Sequence, residues 1–237
     1  NAEFETLLTS PDIAAVLTSR VYLPLGAALK KKMLKLSADR PCVISFLGGL
    51  DFFARNGFER RRNSDAVYLF PKSAIRDYEK LAEGWSLMWQ EVGFGHPSFL
   101  TPVQLPAEDL AQRRDIYFFP QALSPSTRRG RMHMLRAMAA IARANPSRTV
   151  WIKLRHLPNE NIGHLHLEKH DYPGLFAQLD SPPENLRLTS CTMDEALEQA
   201  ALGITCTSTA AIDVIRAGVP CMVNLDYVDN YMDRLVQ

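Results

Sequence analysis

The chain has 237 residues, of which 46% are hydrophobic and 22% are charged, and its formal net charge is +1. This composition is typical of a soluble globular protein, and the near-neutral charge gives no global attraction to nucleic acid, so we expect no nucleic-acid partner. No apolar run reaches the roughly 18 residues of a membrane span, and the start lacks a signal-peptide pattern. The four cysteines lack the spacing of metal ligands, and free buried thiols in a reducing cytoplasm are the expected state.

The first stretch of the chain is predicted to be helical. Over residues 1–36, apolar side chains such as Ile13, Val16 and Leu17 recur at helical spacing, and the lysines near residue 30 fall on the solvent side. The first residue is not Met. We therefore leave open that the chain is a fragment whose missing ends carry further strands.

A buried strand that runs into two glycines follows this stretch. Residues 42–47 form an apolar run of strand length, and Gly48, Gly49 and Asp51 come directly after it. In an α/β sheet, glycines at the end of a strand let the backbone approach a ligand. Asp51 at this position is a candidate general base, and the alternative is a turn or N-cap aspartate.

The same alternation of strand and helix then repeats. Residues 66–70 form a second apolar strand, and residues 74–87 carry a helical apolar stripe. This order predicts an open parallel sheet. If Asp51 is not the base, the carboxylates Glu59 and Asp65 are the next candidates.

Glycine and proline are concentrated between Val92 and Leu110, a pattern typical of a linker. We therefore predict two domains, residues 1–92 and 113–237, joined by a linker over residues 93–112. His96 falls inside this linker and is interpreted as part of it, not as a site residue.

The second half is predicted to be a doubly wound parallel sheet. Its strands are predicted at 115–119, 149–155, 186–190, 202–206 and 221–225. A helix over 126–144 is predicted to be capped by Ser126, and Thr192 with Glu195 forms a capping-box pattern.

Polar side chains follow two of these strands where they end. Gln121 comes after the first strand, and Lys153 and Arg155 alternate with apolar residues at the end of the second, just before His156. Alternation places the two cations on one face of the strand. Because ligands bind at the carboxyl ends of parallel strands, this placement favours a pocket for an anion or a nucleotide.

Histidines are concentrated in the loop that follows. His164, His166 and His170 lie near Glu168, and three interpretations remain open for this loop: an anion pocket, a polar surface loop and a metal site. The sequence lacks the helical zinc motif that carries a glutamate. We therefore predict that the protein needs no metal.

A strand that runs straight into a helix occupies residues 202–217. Thr207, Ser208 and Thr209 lie at the junction, where free backbone N–H groups and hydroxyls favour a phosphate group. The alternative is that one of these hydroxyls only caps the helix.

The order of several segments resembles that of one enzyme class. A strand that leads into a Gly-Gly loop is followed by an Arg-x-x-x-Ser-Asp-Ala-Val segment, a Lys-Leu-Arg-x-Leu-Pro strand end, an Asp-Tyr-Pro turn and a Ser-Thr-Ala-Ala-Ile-Asp helix start; these are residues 40–49, 61–78, 153–158, 171–173 and 208–213. In this order they resemble bacterial glycosyltransferases of surface-polysaccharide loci, which have the GT-B fold.

This resemblance implies a fold, an activity and partners. It implies two Rossmann-like α/β domains that face each other across a cleft, with the donor nucleotide in the carboxy-terminal domain. It also implies a cytoplasmic transferase, peripheral to the inner face of the membrane, that uses a nucleotide-sugar donor and a glycan or lipid-linked acceptor, with no cofactor beyond the donor.

The donor-binding residues are then Gln121, Lys153, Arg155, His156, Thr207, Ser208 and Thr209, whereas Gly48 and Gly49 form an acceptor-side loop and Asp51 is the base of an inverting reaction. Ser208 and Thr209 are also similar to the hydroxyl pair with which bacterial sialyltransferases hold the donor phosphate. Those enzymes carry His-Pro where this chain has His156-Leu157-Pro158, and this difference weighs against a CMP-sialic acid donor.

Overall fold

The computed structural model describes residues 2–19, 21, 23–31, 39–48, 55–86, 90–100, 112–156 and 168–226. The chain divides into two compact units, Asn1–Thr101 (unit 1) and Pro102–Gln237 (unit 2). The division falls inside the linker predicted over residues 93–112. Each unit is an α/β unit around a parallel sheet, in agreement with the predicted fold class.

Unit 1 contains a sheet of four parallel strands in chain order, β1 to β4. Its elements are α1 (Ala2–Leu7), β1 (Ala15–Thr18), α2 (Leu23–Lys31), β2 (Cys42–Phe46), α3 (Arg55–Glu59), β3 (Ala66–Leu69), α4 (Lys72–Gly84), β4 (Glu91–Phe94) and a 3-10 helix (Pro97–Leu100). Val67 and Leu69 of β3 pack with Tyr78 and Ala82 of α4 in one core cluster.

Two strands of unit 1 differ from the sequence-based prediction. The prediction of helix over residues 1–36 was wrong at β1, where Val16 pairs with Val43 of β2. A short apolar run fits either period, and pairing with a neighbouring strand decides between them. Strand β4 lies partly in the predicted linker. Gly93 leaves room there for the Tyr68 ring, since an added Cβ would lie 2.7 Å from it.

Unit 2 contains a sheet of five parallel strands. Its elements are β5 (Asp115–Phe119), α5 (Arg128–Ala144), β6 (Val150–Lys153), α6 (Tyr172–Phe176), β7 (Leu186–Thr189), α7 (Met193–Gln199), β8 (Ala200–Thr205), α8 (Ala210–Arg216) and β9 (Cys221–Val223). Thr192 forms the predicted capping box with Glu195. The cap of α5 is Thr127 and not the predicted Ser126, because the Thr127 side chain accepts a hydrogen bond from the Gly130 N–H.

Helices cover both faces of this sheet. Ile116 and Phe118 of β5 pack in the cluster that includes α5 and α6, whereas Tyr117 and Phe119 pack with α7 and α8. Successive side chains of a strand point to opposite faces, so the continuous apolar run of β5 fills two cores.

The strand order of unit 2 is β7-β6-β5-β8-β9. The chain moves outward from β5 through β6 to β7, and then returns to the other side of β5 with β8 and β9. The order therefore reverses between β5 and β8. In open parallel sheets such a reversal opens a crevice at the carboxyl ends of the two strands, and this crevice is where ligands bind.

None of the four cysteines forms a disulfide. Cys206 is buried, whereas Cys42 is exposed, which differs from the expected burial of all four thiols. In the part of the chain that the structure describes, no helix is long and apolar enough to cross a membrane.

Candidate functional site

The reversal between β5 and β8 brings two predicted site residues into direct contact. Gln121 follows β5 and Thr207 follows β8, and the Oε1 atom of Gln121 accepts hydrogen bonds from the Thr207 N–H at 3.1 Å and from its hydroxyl at 2.8 Å. At the end of β8, two residues before Thr207, the Thr205 hydroxyl donates to the Phe119 carbonyl at 2.8 Å. The two strand ends are therefore joined by side chains where a ligand is expected.

This contact also fixes the orientation of the Gln121 amide. A backbone N–H can only donate, so the atom facing Thr207 is the oxygen and not the nitrogen. Within the described residues, Gln121 Nε2 donates no hydrogen bond. Gln121 thus keeps two N–H donors for an acceptor group on a ligand.

The hydroxyl residues at the start of α8 have different roles. The Ser208 hydroxyl accepts a hydrogen bond from the Ala210 N–H at 3.1 Å, as in a capping interaction. Thr209 occupies the N-cap position, but its side chain makes no capping hydrogen bond. The Ser208 hydroxyl thus stabilises the turn before α8, and Thr207 makes the contact with Gln121. Phosphate binding by Ser208 and Thr209 stays a prediction.

The predicted cations lie at the end of β6, but not on one strand face. The strand ends at Lys153, so Arg155 lies beyond it and is exposed. Lys153 is half-buried, and its ammonium group donates to the Leu154 carbonyl at 3.3 Å. Burial lowers the pKa of Lys153 below its ordinary value, and the nearby Cys191 partly offsets this shift.

His156 is buried, and its partner is a carboxylate. Its Nε2 atom lies 3.6 Å from Oε2 of Glu168, and both side chains are less than 10% exposed. The other oxygen of Glu168 binds the guanidinium of Arg131. The structure therefore brings together His156 and Glu168, two residues of the polar cluster identified in the sequence, through a third residue outside that cluster.

Arg131 is the site residue that the sequence analysis missed. It lies on α5 with no exposed surface, and its guanidinium stacks over the Tyr172 ring at 4.9 Å. Burial raises the pKa of the Tyr172 phenol, so this ring stays neutral under the cation. The signal was present in the helical spacing, because Leu135, Met138 and Ala142 follow Arg131 on the buried face of α5.

The histidine loop yields no metal site within the described residues. No three His, Cys, Asp or Glu side chains there lie close enough together to hold a metal ion. His164 and His166 lie outside the described residues. The expectation that the protein needs no metal stays a prediction.

The predicted acceptor-side residues of unit 1 are only partly described. Gly48 is exposed after β2, whereas Gly49 and Asp51 lie outside the described residues. Asp65, one of the alternative bases, lies at the amino end of β3, where Arg40 holds both carboxylate oxygens at 2.6 Å. Because both oxygens bind a cation away from the ligand edge, we do not propose Asp65 as a base.

The carboxyl ends of β3 and β4 carry aromatic side chains. Phe70, Phe94 and Phe99 lie with ring centroids 5.6 to 5.9 Å apart. His96 is buried beside Phe70 at 5.9 Å. His96 is therefore a packed residue of unit 1, which differs from its interpretation as part of the linker.

Several solved structures are similar to this chain in fold. A putative UDP-N-acetylglucosamine 2-epimerase from Listeria monocytogenes has a TM-score of 0.54 at 15% identity, over 95% of this chain and 60% of its own. MnaA of S. aureus, solved with UDP, has a TM-score of 0.53 at 12% identity, over 94% and 61%.

The pneumococcal O-GlcNAc transferase GtfA, solved with UDP and GlcNAc, has a TM-score of 0.54 at 13% identity, over 94% of this chain and 44% of its own. The chain thus spans less than two thirds of the length of these structures. At these identities the similarity shows the fold alone, which is that of GT-B proteins.

Sequence comparison identifies the family. No curated protein matches the sequence at a significant level. The model of one protein family, described as "Putative glycosyltransferase (DUF6716)", matches residues 3–227. Nearly the whole chain is covered, and it therefore belongs to this glycosyltransferase family.

Proposed function

We propose that unit 2 binds the nucleotide of an activated sugar donor between β5 and β8. The observation that carries this proposal is the contact between Gln121 and Thr207 at the reversal of strand order. The Nε2 donors of Gln121 suit an acceptor group such as a phosphate oxygen or a pyrimidine carbonyl. UDP is the first nucleotide to test, because two of the similar proteins were solved with it.

The proposed reaction moves the sugar from this donor to a glycan or lipid-linked acceptor in the synthesis of a bacterial surface polysaccharide. The leaving group is a nucleotide phosphate, and its developing negative charge needs compensation. We propose that Lys153 and Arg155 compensate this negative charge, with Ser208 and Thr209 as hydroxyl donors and His156 as a further donor-binding residue. Because these groups carry the charge, activity is expected to persist in excess EDTA.

We propose Asp51 of unit 1 as the base that deprotonates the acceptor hydroxyl in an inverting transfer. Its support is the sequence, which puts a carboxylate just after the glycines that follow β2. We also propose that the protein acts in the cytoplasm, as a peripheral protein at the inner face of the membrane.

A nucleotide-sugar epimerase or hydrolase is the second candidate, because one of the similar structures carries the name of an epimerase. Such an enzyme needs no acceptor. Incubation of the full chain with UDP-sugars alone distinguishes the two: release of UDP or inversion of a sugar carbon without acceptor supports the second candidate. Tight nucleotide binding with no turnover under any acceptor supports a non-catalytic protein of the same fold.

The test of the proposed site is a thermal-shift panel with UDP, CMP and GDP. Wild type is expected to gain stability with one of them, since a ligand that binds only the folded state stabilises it. The double substitution Gln121→Leu with Thr207→Val should abolish this gain. The matched control is Thr189→Val, a hydroxyl at the end of β7 on the same edge, which accepts from the Cys191 N–H at 3.2 Å.

The control should keep the nucleotide-dependent gain. If Gln121→Leu with Thr207→Val keeps it as well, the contact is only structural and the site lies elsewhere. If wild type gains nothing with any nucleotide of the panel, the proposed donor site is wrong.

A further inference from the structure

We propose that Arg131 is a positioning residue that holds the donor-binding edge of unit 2 in shape before the nucleotide arrives. This inference deepens the proposed function and rests on it for the identity of the ligand. Arg131 lies on α5 and has no exposed surface, so it acts on the ligand only through the residues that it holds.

Each donor of the guanidinium has an acceptor. The Nε atom donates to the Pro125 carbonyl at 3.0 Å, and Nη1 donates to Glu168 and to the His170 carbonyl at 2.9 Å. The Nη2 atom donates to the carbonyls of Gln121 at 2.5 Å and Ala122 at 2.6 Å. All five N–H donors are used. One side chain thus ties the loop after β5 to the segment before α6.

The contacts of Nη2 reach the proposed ligand-binding groups through one residue. Arg131 fixes the carbonyl of Gln121, and the side chain of Gln121 fixes the N–H and hydroxyl of Thr207. Arg131 therefore holds the backbone of Gln121 after β5, and the side-chain amide of Gln121 contacts Thr207 after β8. A residue held at both points loses less freedom when a ligand binds, which improves affinity.

The contact with Glu168 has an electrostatic consequence. Glu168 is a buried carboxylate 3.6 Å from His156, at the edge where a phosphate is proposed to bind. An uncompensated carboxylate there would repel the phosphate, and the repulsion is strong where water is excluded. Arg131 offsets this charge through its direct contact with Glu168.

A lysine cannot replace this arrangement. An ammonium is a point donor on a flexible stem, whereas the guanidinium holds several acceptors in one plane at fixed angles. Arg131→Lys keeps the positive charge but loses the simultaneous contacts with Gln121 and Ala122. This substitution therefore separates positioning from charge.

Arg113 provides the matched control. It is also a buried arginine of unit 2, it donates to the Leu197 carbonyl at 2.6 Å, and it precedes β5 at the amino end of the sheet. Arg113→Lys should lower the melting temperature as Arg131→Lys does, without touching the donor edge.

The experiment measures two quantities in the full chain with each substitution. The first is hydrogen exchange of the Thr207 amide without nucleotide, which should become at least about tenfold faster in Arg131→Lys and stay within about twofold of wild type in Arg113→Lys. The second is the dissociation constant of the nucleotide selected by the panel, which should rise by about tenfold in Arg131→Lys alone.

Glu168→Gln extends the series and covers the case in which Arg131→Lys does not fold. It keeps an acceptor oxygen for Nη1 but removes the negative charge that strengthens this hydrogen bond, so the guanidinium of Arg131 is held less firmly against Gln121. The Thr207 amide should therefore exchange between about twofold and fivefold faster. Equal protection of the Thr207 amide in wild type and Glu168→Gln, or equal effects of Arg131→Lys and Arg113→Lys, would overturn the proposal.

The two readouts separate this inference from the proposed function. If Thr207 exchange responds as expected but wild type binds no nucleotide, the proposed donor is wrong and Arg131 still positions the edge. If wild type binds nucleotide and Arg131→Lys binds it equally well, the result supports the proposed donor site and contradicts the positioning role of Arg131.

Discussion

The carboxyl ends of the two sheets differ in chemistry although both sheets are parallel. In unit 1, Phe70 and Phe94 at the ends of β3 and β4 contact each other and Phe99 of the 3-10 helix that follows, and Phe94 and Phe99 are 46% and 40% exposed. In unit 2 the corresponding ends carry hydrogen-bonding and charged groups, among them Gln121 and Thr207. In the part of the chain that the structure describes, the ends of β3 and β4 in unit 1 are therefore aromatic, whereas the ends of β5 and β8 in unit 2 are polar.

Each of the two units nevertheless has one buried arginine that binds backbone carbonyls near the carboxyl ends of its strands. In unit 1, Arg61 donates to the carbonyls of Phe46 at 2.8 Å, Gly57 at 2.6 Å and Ser19 at 2.5 Å. In unit 2, Arg131 donates to four carbonyls and a carboxylate. Loop ends that have no strand partner leave carbonyls to be satisfied, and a guanidinium can satisfy several of them at once. In unit 2, Arg131 also forms an ion pair with the buried carboxylate of Glu168.

The largest effect is expected for Asp51, the proposed base of unit 1. If unit 1 supplies the base and unit 2 the phosphate contacts, Asp51→Asn should lower turnover by about 10² to 10⁴-fold and leave donor affinity nearly unchanged. Steady-state kinetics with a fixed acceptor measures both quantities. The reverse pattern, with turnover within a few-fold of wild type or a loss of donor affinity, removes Asp51 from this role.

The next effect concerns the two arginines. Arg131→Met should lower the free energy of unfolding of unit 2 by about 3 to 5 kcal/mol, because it removes the guanidinium that pairs with the buried carboxylate of Glu168. Arg61→Met should lower that of unit 1 by less, about 1 to 3 kcal/mol, because it leaves unpaired carbonyls. Adding Glu168→Met to Arg131→Met should recover part of the loss.

Urea unfolding followed by tryptophan fluorescence can distinguish the units. Trp151 lies in unit 2, and Trp85 and Trp89 lie in unit 1. Replacing Trp85 and Trp89 by Phe leaves a reporter of unit 2 alone. Equal losses for Arg61→Met and Arg131→Met would mean that the ion pair adds nothing to the carbonyl contacts.

A smaller effect compares one glycine from each sheet. A Cβ at Gly203 of β8 would lie 2.6 Å from Val214 Cγ1, and Val214 is fully buried. A Cβ at Gly93 of β4 would lie 2.7 Å from the Tyr68 ring, but Tyr68 is 36% exposed and can move. Gly203→Ala should therefore cost about 1 to 3 kcal/mol and Gly93→Ala less than about 1 kcal/mol.

Both glycine variants can be measured by the same urea titration. Gly203→Ala should also weaken nucleotide binding, since Val214 belongs to α8, whose start lies at the donor edge. A larger loss for Gly93→Ala would show that the aromatic surface of unit 1 is packed as rigidly as the core of unit 2.

The elements that could be predicted from the sequence are those whose apolar spacing and capping residues lie within a few neighbouring positions. The run Asp115–Phe119 and the capping box at Thr192 were correct because apolar continuity and cap chemistry are properties of neighbouring residues. Strand β1 was missed because its four residues fit a helical period, and only pairing with β2 resolves it. Strand β4 was missed because Gly93 signals a turn in sequence, whereas its role is to make room for Tyr68.

The site was predicted in part for the same reason. Gln121 and Thr207 were identified because each follows a strand, but their mutual hydrogen bonds depend on the strand order, which no local pattern carries. Arg131 was missed because an arginine in a helix is usually exposed, and its acceptors come from two segments that are far apart in the sequence.

The smallest expected effect concerns Lys153, a polar residue whose position opposes stability. Burial lowers the pKa of Lys153 in the folded protein, so between this value and the ordinary lysine pKa the unfolded chain binds more protons. Stability then rises with pH through that window, and at pH 7 the buried ammonium is a net cost. Lys153→Met should thus raise the free energy of unfolding at pH 7 by no more than about 0.5 kcal/mol, since water still screens half of the side chain.

The same shift gives the donor edge a dependence on pH. A bound phosphate favours the charged ammonium, so nucleotide affinity in wild type should fall as pH rises from 7 through the lowered pKa of Lys153 toward the ordinary lysine range. In Lys153→Met, affinity should be weaker at pH 7 and should change less over this range. Titration calorimetry at several pH values measures both curves, and Arg76→Met, an exposed cation on α4 of unit 1, controls for a general loss of positive charge. Parallel pH curves for wild type and Lys153→Met would mean that Lys153 does not meet the phosphate, and that the polar edge of unit 2 binds its ligand through the groups around Gln121 and Thr207 alone.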